Sequence, residues 1–151
     1  MREILFRGQT RKNGEKVEMA TGEKVPGHWV YGGIFPGTGD YSIIYGGEAE
    51  KDLERHIVYS ETVGQYTGLK DKNGKRIFEG DIVAQNWYDY DEPRDDSFGK
   101  VVFCEYDCSF SVMDVNKDGF MPLGRCGSYH WEVEVIGNIH DNPELLKGGE
   151  G

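Results

Sequence analysis

The chain has 151 residues, which fits one domain of ordinary size, and that length holds a core without disulfides or a metal. Basic residues number 17 against 27 acidic, a formal net charge of −10. That balance opposes nonspecific nucleic-acid binding, which rests on neutralising phosphates with Lys and Arg, and it opposes binding to anionic membrane surfaces. Aromatic residues reach 13% and supply large buried areas per residue, while 22 glycines without a collagen period predict many tight turns.

In chain order, Met1 leads straight into Arg2-Glu3-Ile4-Leu5-Phe6-Arg7, with no charged-then-apolar signal segment. No apolar run approaches the roughly 20 residues that span a bilayer. These features, with three cysteines, predict a soluble protein of the bacterial cytoplasm with reduced thiols. Asn13-Gly14 lies between polar shoulders and predicts a type I′ hairpin turn. The glycine-rich run Gly32 to Gly39 lacks the Lys-Ser/Thr end of a phosphate-cradling loop and reads as a hairpin tip. Tyr41, Ile43 and Tyr45 alternate as in a strand with one wet face. Gly47 to His56 holds good helix formers, but only about two turns of them with few apolar anchors. Residues 46–60 are poor in apolar side chains and predict a link between an N-terminal β part, about 1–58, and a C-terminal part, about 62–142.

Asn73-Gly74 predicts a second hairpin, and Asp118-Gly119 a third. The basic cluster Lys70, Lys72, Lys75 and Arg76 reads as solvated hairpin residues. Phe78 to Val83 reads as a turn entering a strand. Val101-Val102-Phe103 is apolar on both faces, Phe110 and Val112 alternate with Ser109, Ser111 and Met113, and Trp131, Val133 and Val135 alternate with Glu132 and Glu134. Asn142 to Leu146 predicts one last helical turn with Pro143 at its first position, and 148–151 a disordered tail. Four or five short strands in this order suit a small SH3-like barrel over residues 62–142, within a mainly β fold holding at most one or two short helices.

The stretch Glu61-Thr62-Val63-Gly64-Gln65-Tyr66-Thr67-Gly68-Leu69-Lys70-Asp71-Lys72-Asn73-Gly74-Lys75-Arg76-Ile77-Phe78-Glu79-Gly80-Asp81-Ile82-Val83 resembles the central signature of the YopX family. Three further segments match in family order: Glu3 to Gly8, Gly27-His28-Trp29-Val30-Tyr31-Gly32, and Glu134-Val135-Ile136-Gly137-Asn138-Ile139-His140-Asp141-Asn142-Pro143-Glu144-Leu145-Leu146. The resemblance implies a phage or prophage origin and an all-β, barrel-like fold for one domain over 1–147. It implies no catalytic residues. Within the signature, Gly64, Gly68, Gly74 and Gly80 are expected to relieve backbone strain at turns.

Three constellations invite chemistry. Cys104, Cys108, Cys126 and His130 form a tetrahedral zinc set by residue type, but an unbroken strand would hold Cys104 and Cys108 about 13 Å apart, so a turn at Glu105 to Asp107 is required. Half-buried thiols and a surface histidine explain the set without a metal. Asp114, Asn116, Asp118 and Gly119 copy the opening of a calcium loop, yet its twelfth position is Arg125, a cation, so a polar hairpin loop is the reading taken. Asp89, Asp91, Glu92, Asp95 and Asp96 crowd one segment, 89–96, that offers itself to a divalent cation or a basic partner and otherwise reads as a solvated, mobile loop. Trp87, Tyr88 and Tyr90 beside it favour a protein contact. No Gly-x-Ser-x-Gly is present, the sequence proximity of His56, Tyr59, Ser60 and Glu61 proves no triad, and His28, His56, His130 and His140 stand isolated. No catalytic, cofactor-binding or metal residue is assigned and no cofactor is expected. The sequence points to a non-enzymatic binding or adaptor module acting on a host or phage protein. The alternatives are a zinc or calcium domain or enzyme, and a structural homo-oligomer joined through exposed sheet edges. An acidic mimic of DNA is weaker, because the acidic residues are spread along the chain.

Overall fold

Period-two alternation punctuated by glycine builds antiparallel sheet nearly throughout the chain. The computed structural model describes residues 4–10, 16–18, 24–26, 29–37, 39–46, 54–124 and 127–150. Contacts divide the chain into two compact units, Met1–Tyr66 and Thr67–Gly151.

The first unit contains β1 (Phe6–Gln9), β2 (Lys16–Glu18), β3 (Lys24–Pro26), β4 (Trp29–Phe35), β5 (Tyr41–Gly46) and β6 (Glu54–Tyr59). Strands β6, β5, β4 and β1 lie in that order in one antiparallel sheet, and β2 pairs with β3 as a separate ribbon. The other side of β1 pairs with Gly64 and Gln65, the start of β7 (Gly64–Lys70). Even-numbered positions turn inward: Val30, Ile44 and Val58 are buried together, with Phe6, Ile34 and Val63 packed against them. Gly8 is needed for this closeness, because a Cβ there would stand 2.7 Å from a Val58 methyl. A 3-10 turn, Ser60–Thr62, closes the unit: the Thr62 hydroxyl donates to the Tyr59 carbonyl (2.7 Å) and accepts the Gln9 N–H (2.8 Å).

The second unit contains the rest of β7, then β8 (Arg76–Phe78), β9 (Asp81–Asp89), β10 (Glu92–Cys104), β11 (Ser109–Asp114), β12 (Phe120–Pro122) and β13 (His130–Asn138), followed by a 3-10 helix, Pro143–Glu150. Its five-stranded sheet runs β12-β11-β10-β9-β13, a meander whose last strand returns beside the first. Ile77, Val83, Val101, Val112 and Val133 form its buried centre, with Leu69, Phe110, Leu123, Trp131 and Val135 around them.

The all-β class expected from the sequence holds. The closed barrel expected over 62–142 does not: among the described residues no backbone pairing joins the ends of the five-stranded sheet. Side chains bridge the gap instead. Gln85 on β9, 1% exposed, donates to the Pro122 carbonyl on β12 (3.0 Å) and to the Ser97 hydroxyl (3.1 Å), and it accepts from the Trp131 indole (2.9 Å). Trp87 Nε1 donates to the Gly124 carbonyl (2.9 Å). These bonds tie β12 to β9, from which two strands separate it in the pairing order.

Three local expectations are corrected. Of the weak helical stretch Gly47 to His56, residues 47–53 lie outside the described residues and Glu54–His56 open strand β6. The acidic segment 89–96 is not a loop but the tip of a long β hairpin, in which Asp89 pairs with Glu92 and Pro93 with Tyr88, and a bulge follows at Arg94. At Asn73-Gly74 the turn is not type I′: Gly74 N–H closes onto the Asp71 carbonyl (2.9 Å), and only Gly74 takes a positive φ, +81°. The Asn13-Gly14 turn lies outside the described residues.

Candidate functional site

The YopX-like signature explains itself structurally. Gly68, Gly74 and Gly80 hold φ of +88°, +81° and +87°, values that favour glycine, whereas Gly64 sits in an ordinary strand opposite Arg7. Asp71, 7% exposed, receives three backbone N–H groups: Asn73 and Lys75 on Oδ1 (both 2.9 Å) and Val135 on Oδ2 (3.0 Å). Burial resists its ionisation, but these N–H donors and nearby Lys75 outweigh that and hold the carboxyl below its usual range. With Lys72 N–H on the Val133 carbonyl (2.9 Å), the 71–75 turn is fastened along the side of β13 that faces away from β9. Asp81, 1% exposed, accepts the Phe78 N–H (2.8 Å). The carboxylates of the signature fix turns, and the basic cluster around them is solvated as expected, with Lys72 paired to Glu134 at 3.4 Å.

A cluster of acidic side chains and an exposed tyrosine meet at the β9–β10 hairpin. Tyr90, at the tip, is 92% exposed and holds φ at +57°, a conformation uncommon outside glycine. Behind it lies a cleft of about 240 Å³ lined by Asn86, Tyr88, Pro93, Arg94, Asp95 and Asp96, with Trp87 at its base. Arg94 pairs with Asp89 at 2.9 Å. Lys117, from the β11–β12 loop, reaches Asp95 Oδ1 at 2.8 Å and also bonds the Asp96 carbonyl. That hydrogen bond depresses the Asp95 pKa and raises that of Lys117. The hairpin is therefore braced at both sides while its aromatic tip stays in solvent.

The zinc set does not assemble. Cys104 and Cys108 do flank a turn, as a shared ion would require, but Cys104 is buried and Cys108 exposed at φ +52°. His130 pairs with Tyr88, which pairs with Pro93, so it lies at the hairpin end of the sheet. Cys104 lies at the far end of β10. The rise per residue puts about 35 Å of strand between these ends, whereas ligands of one zinc lie within about 4 Å of each other. His130 instead approaches Glu132 (3.4 Å) and the Tyr88 ring. Cys126 and Arg125 lie outside the described residues. The calcium-like loop is also committed elsewhere: Asp114 accepts the Phe98 N–H (3.1 Å) and the Asn116 N–H (2.7 Å), and Lys117 turns an ammonium into the acidic hairpin. Among the described residues no three His, Cys, Asp or Glu side chains converge to hold a metal ion. The Ser60 hydroxyl meets that of Ser42 (2.8 Å) rather than an imidazole. His28 lies outside the described residues, and His56, His130 and His140 sit on separate elements.

Sequence reasoning found the acidic segment and exposed Tyr90, but Trp87, expected beside them at a contact surface, is 2% exposed and belongs to the core, and Arg94 and Lys117 were missed as braces. Lys117 is 22 residues from Asp95, and no local signal connects them.

This is an all-β module of antiparallel sheets whose most regular motifs are architectural and whose β9–β10 hairpin carries an acidic cluster beside exposed Tyr90. The profile of the YopX protein family matches residues 36–147, roughly three-quarters of the chain, and takes in the central and final motifs but not the segments at Glu3 to Gly8 and Gly27 to Gly32. The chain belongs to the YopX family. A solved structure, protein EF1440 from Enterococcus faecalis, is similar at 25% identity over 97% of this chain and 99% of that one, with a TM-score of 0.45. No curated protein matches the sequence. Among the described residues no helix is long and apolar enough to cross a membrane.

Proposed function

We propose that the protein is a non-enzymatic binding module of phage or prophage origin that docks a basic protein surface through the β9–β10 hairpin. The observation that carries this reading is Tyr90: a large aromatic left 92% exposed, on a backbone at φ +57°. Such a conformation costs on the order of 1–3 kcal/mol and persists where surrounding structure enforces it, and here the two-residue turn between paired Asp89 and Glu92 does so. The same hairpin carries Asp89, Asp91, Glu92, Asp95 and Asp96, of which Asp91 and Glu92 flank the tip and the others are shared with Arg94 and Lys117, and residues 67–151 carry 9 basic against 17 acidic side chains. A tyrosine anchor inside an acidic rim suits a partner with an apolar slot among lysines or arginines, and a charged rim of this kind speeds encounter at low salt. Family membership supports the phage setting. A metal-dependent reading draws no support from the described residues, because the register parts Cys104 from His130.

The test is capture from bacterial lysate at physiological salt with the wild-type chain and with Tyr90→Ala. A specific partner retained by the first and weakened about thirtyfold in the second is expected, since truncating an aromatic hot spot costs about 2 kcal/mol or more. Equal retention by both chains would refute the hairpin as the contact.

A further inference from the structure

Behind the hairpin the C-terminal sheet carries a polar face that Tyr90 does not line. Along β9, Asn86 and Tyr88 alternate with the buried Gln85 and Trp87, so they project from the side of the sheet opposite the core. Cross-strand pairing extends that side into two rows: Pro93, Tyr88 and His130 in one, Asp96, Asn86 and Glu132 in the next. Neighbouring strands lie about 4.8 Å apart, so Asp96 and Glu132 flank Asn86 with about 10 Å between them. The cleft of about 240 Å³ bounded by Tyr88, Pro93 and Asp96 adjoins a shallower one of about 50 Å³ bounded by Lys72, Ala84, Glu132 and Glu134, and Asn86 belongs to both. Together they make a groove along β9 from Tyr88 to Ala84, about 13 Å at the rise of a strand.

We propose that this groove binds a neutral saccharide chain, with one pyranose unit seated in the larger cleft. That cleft is smaller than the roughly 300–1,000 Å³ that bury a drug-sized ligand, and a single sugar ring is the size of unit it admits. The charges select a neutral occupant. Each carboxylate bordering the groove stands beside a basic side chain: Asp95 and Asp96 with Lys117 (2.8 and 3.7 Å), Glu134 with Lys72 (3.4 Å) and Glu132 with His130 (3.4 Å). A cationic ligand has to displace those partners. A sugar hydroxyl does not, because a carboxylate offers about four lone-pair sites, an ion pair leaves some of them open, and a hydroxyl both donates and accepts. The Asn86 side-chain amide serves the same chemistry with two donors and an acceptor, and among the described residues it meets no hydrogen-bond partner. Tyr88 supplies the apolar wall. It is half-buried, stands between Pro93 and His130 in its row, and has the His130 ring 6.2 Å away, so its negative ring face is held in place for the C–H side of a pyranose. The ion pairs fix the polar groups before a ligand arrives, which lowers the ordering cost of binding. This inference goes beyond the docking of a protein at Tyr90 and does not depend on it.

NMR titration of the isotope-labelled full chain with maltotriose, cellotriose and tri-N-acetylchitotriose tests it. At least one of these sugars is expected to give saturable shifts centred on the Asn86 side-chain amide and the backbone amides of Tyr88 and Glu132. Tyr88→Ala weakens that binding about tenfold, whereas Tyr88→Phe, which keeps the ring, holds it within about twofold. Asn86→Ala weakens it about fivefold through its lost hydrogen bonds. Tyr90→Ala leaves saccharide binding unchanged while it weakens capture of the protein partner, so each reading can fail alone. The shift map is read on the wild-type chain and decides even where a variant fails to fold. Silence with all three sugars at millimolar concentration overturns the proposal, and so do shifts centred on another part of the chain. A complex indifferent to Tyr88→Ala and Asn86→Ala overturns it too. Saturation of the same amides by N-acetylarginine amide, but by none of the sugars, would make the groove a cation site and overturn it as well.

Discussion

Replacing Asp71 by alanine removes three acceptors at once, and the structure ranks their worth. The N–H groups of Asn73 and Lys75 lie in an exposed turn, where water replaces the lost oxygen and each loss costs a few tenths of a kcal/mol. The N–H of Val135 is different: it points away from β9 toward the covered side of β13, and leaving it unpaired costs about 1–3 kcal/mol. The total is about 3 kcal/mol. For a chain of this size that lowers the melting temperature by about 6–12 °C, because each kcal/mol shifts it by about 2–4 °C. Asp71→Asn keeps one acceptor for the turn but sets an amide against the Val135 N–H, so it loses most of the same stability. Urea unfolding at neutral pH followed by tryptophan fluorescence measures both. The pH dependence adds a second reading. The native carboxyl of Asp71 titrates below its ordinary 3.8, so between the two values the unfolded chain binds more protons than the folded one. Its contribution is therefore complete above 3.8 and disappears as pH falls through the native value, and the gap between wild type and Asp71→Ala narrows over that interval. An alanine variant within about 0.5 kcal/mol of wild type at pH 7 would refute the ranking of these bonds.

Gly74→Ala meets no neighbour within 4 Å but must hold φ near +81°, so a loss of about 1–2 kcal/mol from backbone strain alone is expected in urea unfolding. Gly99→Ala is worse, because its Cβ would lie 1.9 Å from the Met113 carbonyl and the β10–β11 pairing must open to admit it. Gln85→Met, close in size, strands the Trp131 indole N–H and frees β12 from β9; thermal unfolding should show a loss of about 1–3 kcal/mol with a changed tryptophan emission. Lys117→Met removes the main partner that depresses Asp95, and carbon-detected NMR titration should find that carboxyl titrating at higher pH than in the wild-type chain.

Most of the sheet was legible because its residues alternate visibly. Trp131, Val133 and Val135 lie along β13, and Phe110 and Val112 along β11, as their spacing predicts. Pro143 opens the last helical turn, where its fixed φ and missing N–H do no harm. The β9–β10 hairpin was not legible. Its turn, Tyr90-Asp91, has neither Gly nor Asn to announce it, and the charges at Asp95 and Asp96 face solvent on a strand that local composition marks as loop. What steadies those charges comes from Lys117, beyond the reach of any sequence window. The barrel expectation failed for a related reason. Strand order is written in local patterns, but closure depends on where side chains such as Gln85 reach after the sheet has curled. The exposed face of the N-terminal sheet was half visible: Tyr41, Ile43 and Tyr45 announced a strand, but only the register with Phe35 and Ile57 shows that they look outward.

The turn that carries Asp71 and Lys72 also covers an edge of the C-terminal sheet. A naked strand at the rim of a sheet invites a stranger's backbone, and fibrils grow by that route. On β13 the carbonyl of Val133 and the amide of Val135 are already engaged by the chain's own loop, so an incoming strand finds no continuous ladder there. The opposite rim, β12, is three residues long and ends at Pro122, whose ring nitrogen has no hydrogen to offer. Both margins of the C-terminal sheet are thus sealed against templated growth, one by a loop laid along it and the other by brevity and a proline.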